Sequence, residues 1–195
     1  KTHASKWRYH SAEYLVDTIE EQVKNYNFKE MIIFDSTFNI SRERVGSFCD
    51  ELIKRKIKIK WSASMVLHNI TKEMAAKLSR AGCWLVHAGI ESGDDDQLKF
   101  ISKGINTKKI AEKIKILKEA GIEARGYFIL GLPRDTEATI EKTVKFALDN
   151  PFFCAQFSIY NSFIGTPFNN TGEDMMYGEV FSTDNGAGNT MSFGS

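Results

Sequence analysis

Apolar positions along the chain switch repeatedly between a helical period and short runs or alternations. Leu15, Ile19 and Val23 recur at helical spacing behind Ser11, a residue suited to cap a helix N-terminus. Met31-Ile32-Ile33-Phe34 is then a short apolar run, the form taken by a parallel strand buried on both faces. Ser41 opens a second helix running to about Arg55. Ile57, Ile59 and Trp61 alternate as a strand, and Thr71 caps a helix that ends at Gly82. Trp84 to Ile90 reads as the third strand. It is followed by a short helix around Gln97 to Lys103 and a longer one from Thr107 to the stop at Gly121. Glu123 to Leu130 is the fourth strand, Thr136 starts a helix that Asn150-Pro151 ends, and Ala155 to Tyr160 is the fifth strand.

Strands therefore begin near Lys29, Ile57, Trp84, Glu123 and Ala155. A repeat of roughly thirty residues is what a βαβ series produces, with right-handed crossovers and a parallel sheet. The fold class is α/β, with two solutions open: a doubly wound sheet or part of a barrel. The turn after the first strand reads Asp35-Ser36-Thr37-Phe38 and holds no glycine-rich phosphate loop, so a dinucleotide site of the Rossmann kind loses its support.

Alternation splits each later strand into two faces. Trp61 and Ala63 oppose Ser62 and Ser64. Val86, Ala88 and Ile90 oppose His87, Gly89 and Glu91. Phe128 and Leu130 oppose Arg125, Tyr127, Ile129 and Gly131, and Phe157 and Ile159 oppose Gln156, Ser158 and Tyr160. The apolar face calls for helices. The polar face cannot be a dry core, because each unpaired buried polar group would cost about 1–3 kcal/mol. A solvent-facing sheet would satisfy it, but parallel sheets have both faces covered, so a water- or ligand-filled concavity inside an incomplete barrel is the better reading.

Composition narrows the functional classes. Lys+Arg (26) and Asp+Glu (25) leave a net charge of +1, which gives no nucleic-acid or membrane-surface signal. No apolar run approaches the roughly twenty residues of a membrane span. Cys49, Cys83 and Cys154 are odd in number and far apart, matching neither a disulfide framework nor a metal pair; buried, reduced thiols in a cytoplasmic protein are expected. The sequence opens at Lys1 without a methionine and closes on a Gly/Asn/Ser/Thr-rich stretch, which suggests a partial sequence.

The strand ends carry a family resemblance. Phe34-Asp35-Ser36-Thr37-Phe38 resembles the F-x-D-x-x-F turn of cobalamin-associated radical S-adenosylmethionine (SAM) enzymes. Gly89-Ile90-Glu91-Ser92-Gly93, with Leu98 and Lys103-Gly104, resembles their G-I-E-S-G strand end and following L-x-x-I-x-K-G helix. Phe128-Ile129-Leu130-Gly131-Leu132-Pro133 resembles F-I-x-G-L-P, and Gly165-Thr166-Pro167 resembles a P-G-T-P turn. The likeness extends to the methylthiotransferase branch and covers roughly residues 6–168.

The resemblance implies a partial (βα)6 barrel whose first strand is missing, with the core domain over 1–168 and a polar C-terminal segment over 169–195. It implies SAM and a 4Fe-4S cluster as cofactors, cobalamin through a missing N-terminal domain, an electron donor as partner, and a substrate of unspecified class. The cluster needs three soft thiolate ligands. In the family they come from a C-x-x-x-C-x-x-C loop that this sequence lacks, so the ligands are expected upstream of Lys1. The expected function is the SAM-binding part of a radical enzyme performing methylation, methylthiolation or rearrangement, inactive by itself.

For SAM the resemblance points to Asp35, Ser64, Glu91, Ile129 and Gly131; His87, Arg125, Tyr127 and Tyr160 are candidates for the substrate cavity. No catalytic or metal-ligating residue is assigned. Plainer readings exist: Asp35 as an N-cap-like turn residue, Glu91 as a solvated loop acid, Ser64 as a turn serine and His87 as a hydrogen-bonded interior histidine. Two rival functions stand beside the main one. One is a βα-barrel enzyme for a phosphate-bearing substrate, with Gly165-Thr166 as its anion turn; the other is a non-catalytic interaction module.

Overall fold

Five strands run parallel in sequence order with helices on one face, as the thirty-residue repeat requires. The computed structural model describes residues 9–161, 180–184 and 190–192. The elements are α1 (Ala12–Tyr26), β1 (Glu30–Ile33), α2 (Arg42–Lys54), β2 (Lys60–Ser64), α3 (Lys72–Arg80), β3 (Cys83–Glu91), α4 (Asp95–Phe100), α5 (Thr107–Glu119), β4 (Glu123–Leu130), α6 (Glu137–Asp149) and β5 (Cys154–Ile159). The order β1-β2-β3-β4-β5 is parallel throughout. Two short strands, β6 (Val180–Asp184) and β7 (Thr190–Ser192), then extend the sheet antiparallel. The purely parallel expectation therefore ends at β5: the sheet continues from the polar C-terminal stretch, where composition showed no strand.

The helix starts are capped by the residues that pattern alone picked out. Ser11, Ser41, Thr71 and Thr136 each accept a hydrogen bond from the backbone N–H three residues on, satisfying one orphan donor per helix. The core lies between these helices and the apolar sheet face. Trp61, Ala63, Val86, Ala88, Ile90 and Phe128 meet Val45, Phe48, Leu52, Leu78, Ile114 and Leu117 there, all buried. Trp61 packs edge-on against Phe38 and Phe48 with ring centroids 5.8 and 5.3 Å away, and its indole N–H donates to the Ala81 carbonyl at 2.8 Å.

Two expectations need correction. The second strand begins at Lys60, not at Ile57, because Lys56 and Ile57 close helix α2. Lys56 takes a left-handed φ of 56°, the Lys56 N–H donates to Ile53 and the Ile57 N–H to Leu52, a Schellman ending. The first strand is not buried on both faces. Ile32 is 52% and Phe34 95% exposed, because β1 is the edge of the sheet among the described residues. The Gly165-Thr166-Pro167 turn lies outside the described residues.

Candidate functional site

Loops at the C-terminal ends of β1, β2 and β3 are locked to one another by backbone pairing. The Phe38 N–H donates to Ser64 and the Met65 N–H to His87, carrying the sheet ladder past the strand ends. Asn39, buried, bridges to Val66 in both directions: its amide donates to the Val66 carbonyl at 3.0 Å and its oxygen accepts from the Val66 N–H at 2.8 Å. The rim of the cavity is thus preformed.

Beneath that rim lies a cavity of about 540 Å³, lined among others by Ser64, His87, Glu91, Lys103 and Tyr127. Glu91 ends β3 in a left-handed conformation, φ 70°, which a residue with a Cβ adopts at a cost of about 1–2 kcal/mol. A register shift between Gly89 and Glu91 accompanies it. The kink folds the carboxylate back over Gly89, where Glu91 Oε1 accepts from Lys103 Nζ at 2.9 Å. A Cβ on Gly89 would stand 2.6 Å from Glu91 Oε1 and 3.2 Å from Lys103 Nζ, so the glycine makes room for the pair. Lys103 is aimed by the end of α4: Ser102 is left-handed (φ 55°) and the Lys103 N–H returns to Leu98, another Schellman ending.

A second cavity, about 480 Å³, adjoins the first and shares Ser36, Ser64, His87 and Tyr127 with it. Asp35 and Arg125 line this one and not the first. Asp35 accepts from the Thr37 N–H at 3.3 Å, and its other oxygen lies 3.8 Å from Arg44 Nη1, so it both turns the loop and balances a buried guanidinium. Ile129, Gly131 and Tyr160 line neither cavity. Ile129 shares the polar face on β4, Gly131 lies in the turn after it, and the Tyr160 N–H extends the ladder to Leu130.

His87 sits at the centre of a relay. Its Nε2 lies 3.2 Å from Ser62 Oγ and its Nδ1 3.3 Å from the Tyr127 hydroxyl. Burial, then the positive charge of Arg125 opposite it in the β3–β4 register, hold the imidazole pKa below its usual value. The neutral ring is therefore the form present at pH 7. An unfolded chain takes up the proton first as pH falls, so this group adds stability that is complete above about pH 6.5 and is lost on acidification through the folded-state pKa. An NMR titration of the His87 ring protons is expected to give a midpoint below the ordinary imidazole value of about 6.5; a midpoint at or above that value would contradict the assignment.

Lys103 and Ser62 are the functional candidates that strand alternation did not single out. Lys103 was visible only as part of the Lys103-Gly104 helix end, and Ser62 only as one of three polar residues on β2. The cysteines offer no cluster site. Cys49, Cys83 and Cys154 are all buried. Burial pushes the Cys49 thiol up to about 12 and raises that of Cys83 as well, the reverse of what thiolate ligation needs. Among the described residues no three His, Cys, Asp or Glu side chains converge as metal ligands. The residues present do not fit a 4Fe-4S cluster.

The order of strands, the G-I-E-S-G bend and the cavity at the strand ends meet one sequence family: the Radical SAM superfamily profile matches residues 2–147. The chain belongs to the radical SAM superfamily. An uncharacterized methyltransferase of Pyrococcus horikoshii is 32% identical over 161 residues, 83% of this radical SAM chain and 35% of the relative. The anaerobic magnesium-protoporphyrin IX monomethyl ester cyclase of Rubrivivax gelatinosus is 31% identical over 140 residues, 70% of this chain and 25% of its own length. The chain thus spans about a third or less of these curated relatives. In structure it resembles the radical S-adenosylmethionine methyltransferase TsrM from Kitasatospora setae, solved with cobalamin and a [4Fe-4S] cluster bound. The TM-score is 0.68 at 21% identity, over 77% of this chain and 29% of that one. That likeness bears on the fold: five parallel strands arranged as in a radical SAM partial barrel. Among the described residues no helix is long and apolar enough to cross a membrane.

Proposed function

We propose that this chain forms the SAM-binding wall of a radical SAM enzyme of the cobalamin-associated or methylthiotransferase-like type. The observation that carries the reading is the Glu91 carboxylate, delivered to the cavity mouth by a strained strand end and held by Lys103. A carboxylate there accepts hydrogen bonds from ribose hydroxyls or from the SAM ammonium. Ser64, at the matching end of β2, faces the same space. Ile129 on the neighbouring β4 and Gly131 just past its end lie outside both cavities; the resemblance assigns them apolar and backbone contacts to an adenine.

When bound next to a reduced cluster, SAM supplies a 5′-deoxyadenosyl radical. The chain's own residues orient the nucleoside, fix the Glu91 carboxylate through Lys103 and keep His87 neutral on the floor of the cavity. The cluster itself would be held by cysteines upstream of Lys1, because Cys49, Cys83 and Cys154 are buried. Methylation, methylthiolation or rearrangement by the parent protein, with cobalamin from a separate domain and an electron donor for the cluster, completes the proposal. Two of its relatives are named as a methyltransferase and a cyclase.

Anaerobic treatment with iron and sulfide tests it. The 195-residue chain is expected to show no stoichiometric 4Fe-4S absorption, whereas the chain carrying an upstream C-x-x-x-C-x-x-C is expected to show one cluster per protein and SAM-dependent perturbation of its spectrum. A stoichiometric cluster on this chain alone, or an upstream sequence without such cysteines, would overturn the reading.

A further inference from the structure

Arg125 is a charged group of the inner sheet face that the SAM reading leaves without a task. It projects from the middle of β4 into the second cavity. Its Nε is buried with no hydrogen-bond partner, and no carboxylate pairs with its guanidinium among the described residues. The nearby acids are committed elsewhere. Glu123, two residues back on the same face, takes Lys118 on both oxygens at 2.7 and 2.9 Å. Glu91 holds Lys103, and Asp35 lies beside Arg44.

A buried guanidinium N–H without an acceptor is costly, more so than a neutral orphan, and such groups in native structures call for a missing partner. The surroundings describe that partner. An imidazole carries no negative charge in either protonation state, so His87 opposite Arg125 is not the missing partner, and the Tyr127 hydroxyl lies on the same face. The far wall carries exposed Ile32 on β1 and Phe34 just past its end, with Asp35 and Ser36 following on the same loop. A guanidinium fork takes a carboxylate through two parallel hydrogen bonds, and Ile32 and Phe34 suit a flat hydrocarbon body attached to it.

We infer that the substrate of this enzyme is a carboxylate-bearing molecule with an apolar body, its carboxylate anchored by Arg125 beneath the SAM position. The inference rests on the SAM reading for the word substrate, but the binding site can be examined by itself. Arg125 fixes which end of the molecule lies deep, so the atom presented toward the Glu91 cavity is at the end away from the carboxylate.

Benzoate is the probe, with its neutral isostere benzamide and inorganic phosphate as the comparison arms, followed by the side-chain Nε–H NMR signal of Arg125 in the 195-residue chain. Benzoate is expected to shift that signal saturably and to bind at least tenfold more tightly than benzamide or phosphate. Arg125→Met is expected to lose at least tenfold in benzoate affinity and Arg125→Lys, which keeps the charge without the fork, an intermediate amount. SAM binding by equilibrium dialysis against the cluster-loaded protein should stay within twofold in both. Equal binding of benzoate and benzamide, tighter binding of phosphate, or unaltered benzoate affinity in either variant would overturn the inference. Failure of SAM to bind while benzoate still seats on Arg125 would instead defeat the SAM reading and leave a carboxylate site.

Discussion

Gly93→Ala is expected to destabilise the protein by about 3 kcal/mol, the upper end of what a single forced overpacking costs. A Cβ there would stand 2.6 Å from Phe146 Cβ, 2.7 Å from Thr143 Cα and 2.9 Å from the Lys142 carbonyl, and two of those atoms are backbone that no rotamer change can move. Relief requires α6 to back away from the turn after β3. That motion would break the part-buried hydrogen bond from the Gly93 N–H to Thr143 Oγ1 (3.0 Å) and the buried contact of the same hydroxyl with Ser92 Oγ (3.2 Å). The second glycine of Gly89-Ile90-Glu91-Ser92-Gly93 therefore exists to let a helix touch the chain two residues beyond Glu91. Urea unfolding checks this: the midpoint should fall with the slope unchanged. A midpoint within about 0.5 kcal/mol of wild type, the range of an indifferent surface change, would show that the close approach is not there.

Much of the architecture was legible because a parallel α/β sheet writes its two periods plainly. Caps at Ser11, Ser41, Thr71 and Thr136, the stop at Gly121 and the polar face of β3 and β4 all follow from local chemistry. What failed was non-local. Ile57 looks like a strand residue in the alternation Ile57, Ile59, Trp61, yet its N–H is consumed in closing α2 through a left-handed lysine, which no pattern rule favours. Met31-Ile32-Ile33-Phe34 is apolar enough for an interior strand, but burial depends on what lies beyond β1, and the run itself carries no record of its neighbours.

The site shows the same division. Glu91 could be found from the glycines around it, since a turn flanked by Gly89 and Gly93 announces a strained strand end. Its partner Lys103 lies twelve residues on and is brought back only by the Schellman ending of α4. Asp35 and Glu91, placed together by resemblance, open onto adjoining cavities, because β2 separates their strands. Arg125 was visible as a polar-face residue, but its missing partner is a property of three dimensions.

Glu91→Gln is expected to lower SAM affinity by about 10- to 100-fold, the loss that follows when hydrogen bonds to a charged acceptor worth about 1.5–3 kcal/mol are weakened. The substitution preserves shape and the left-handed backbone, and removes only the charge that Lys103 and the ligand share. Stability should hardly move, because both side chains of the pair remain about a quarter exposed and such ion pairs contribute about 0–1 kcal/mol. Gly89→Ala approaches the same atom from the other side. Its Cβ would meet Glu91 Oε1, the free end of a flexible side chain, so the carboxylate swings away while the fold survives, and part of the affinity loss should be reproduced without touching Glu91 itself. Equilibrium dialysis of SAM against the cluster-loaded protein reads both effects, with a urea midpoint as the control. If Glu91→Gln binds SAM as wild type does, the carboxylate is a surface acid paired with a lysine, and the strained bend at the end of β3 serves the packing of Gly93 on α6 alone.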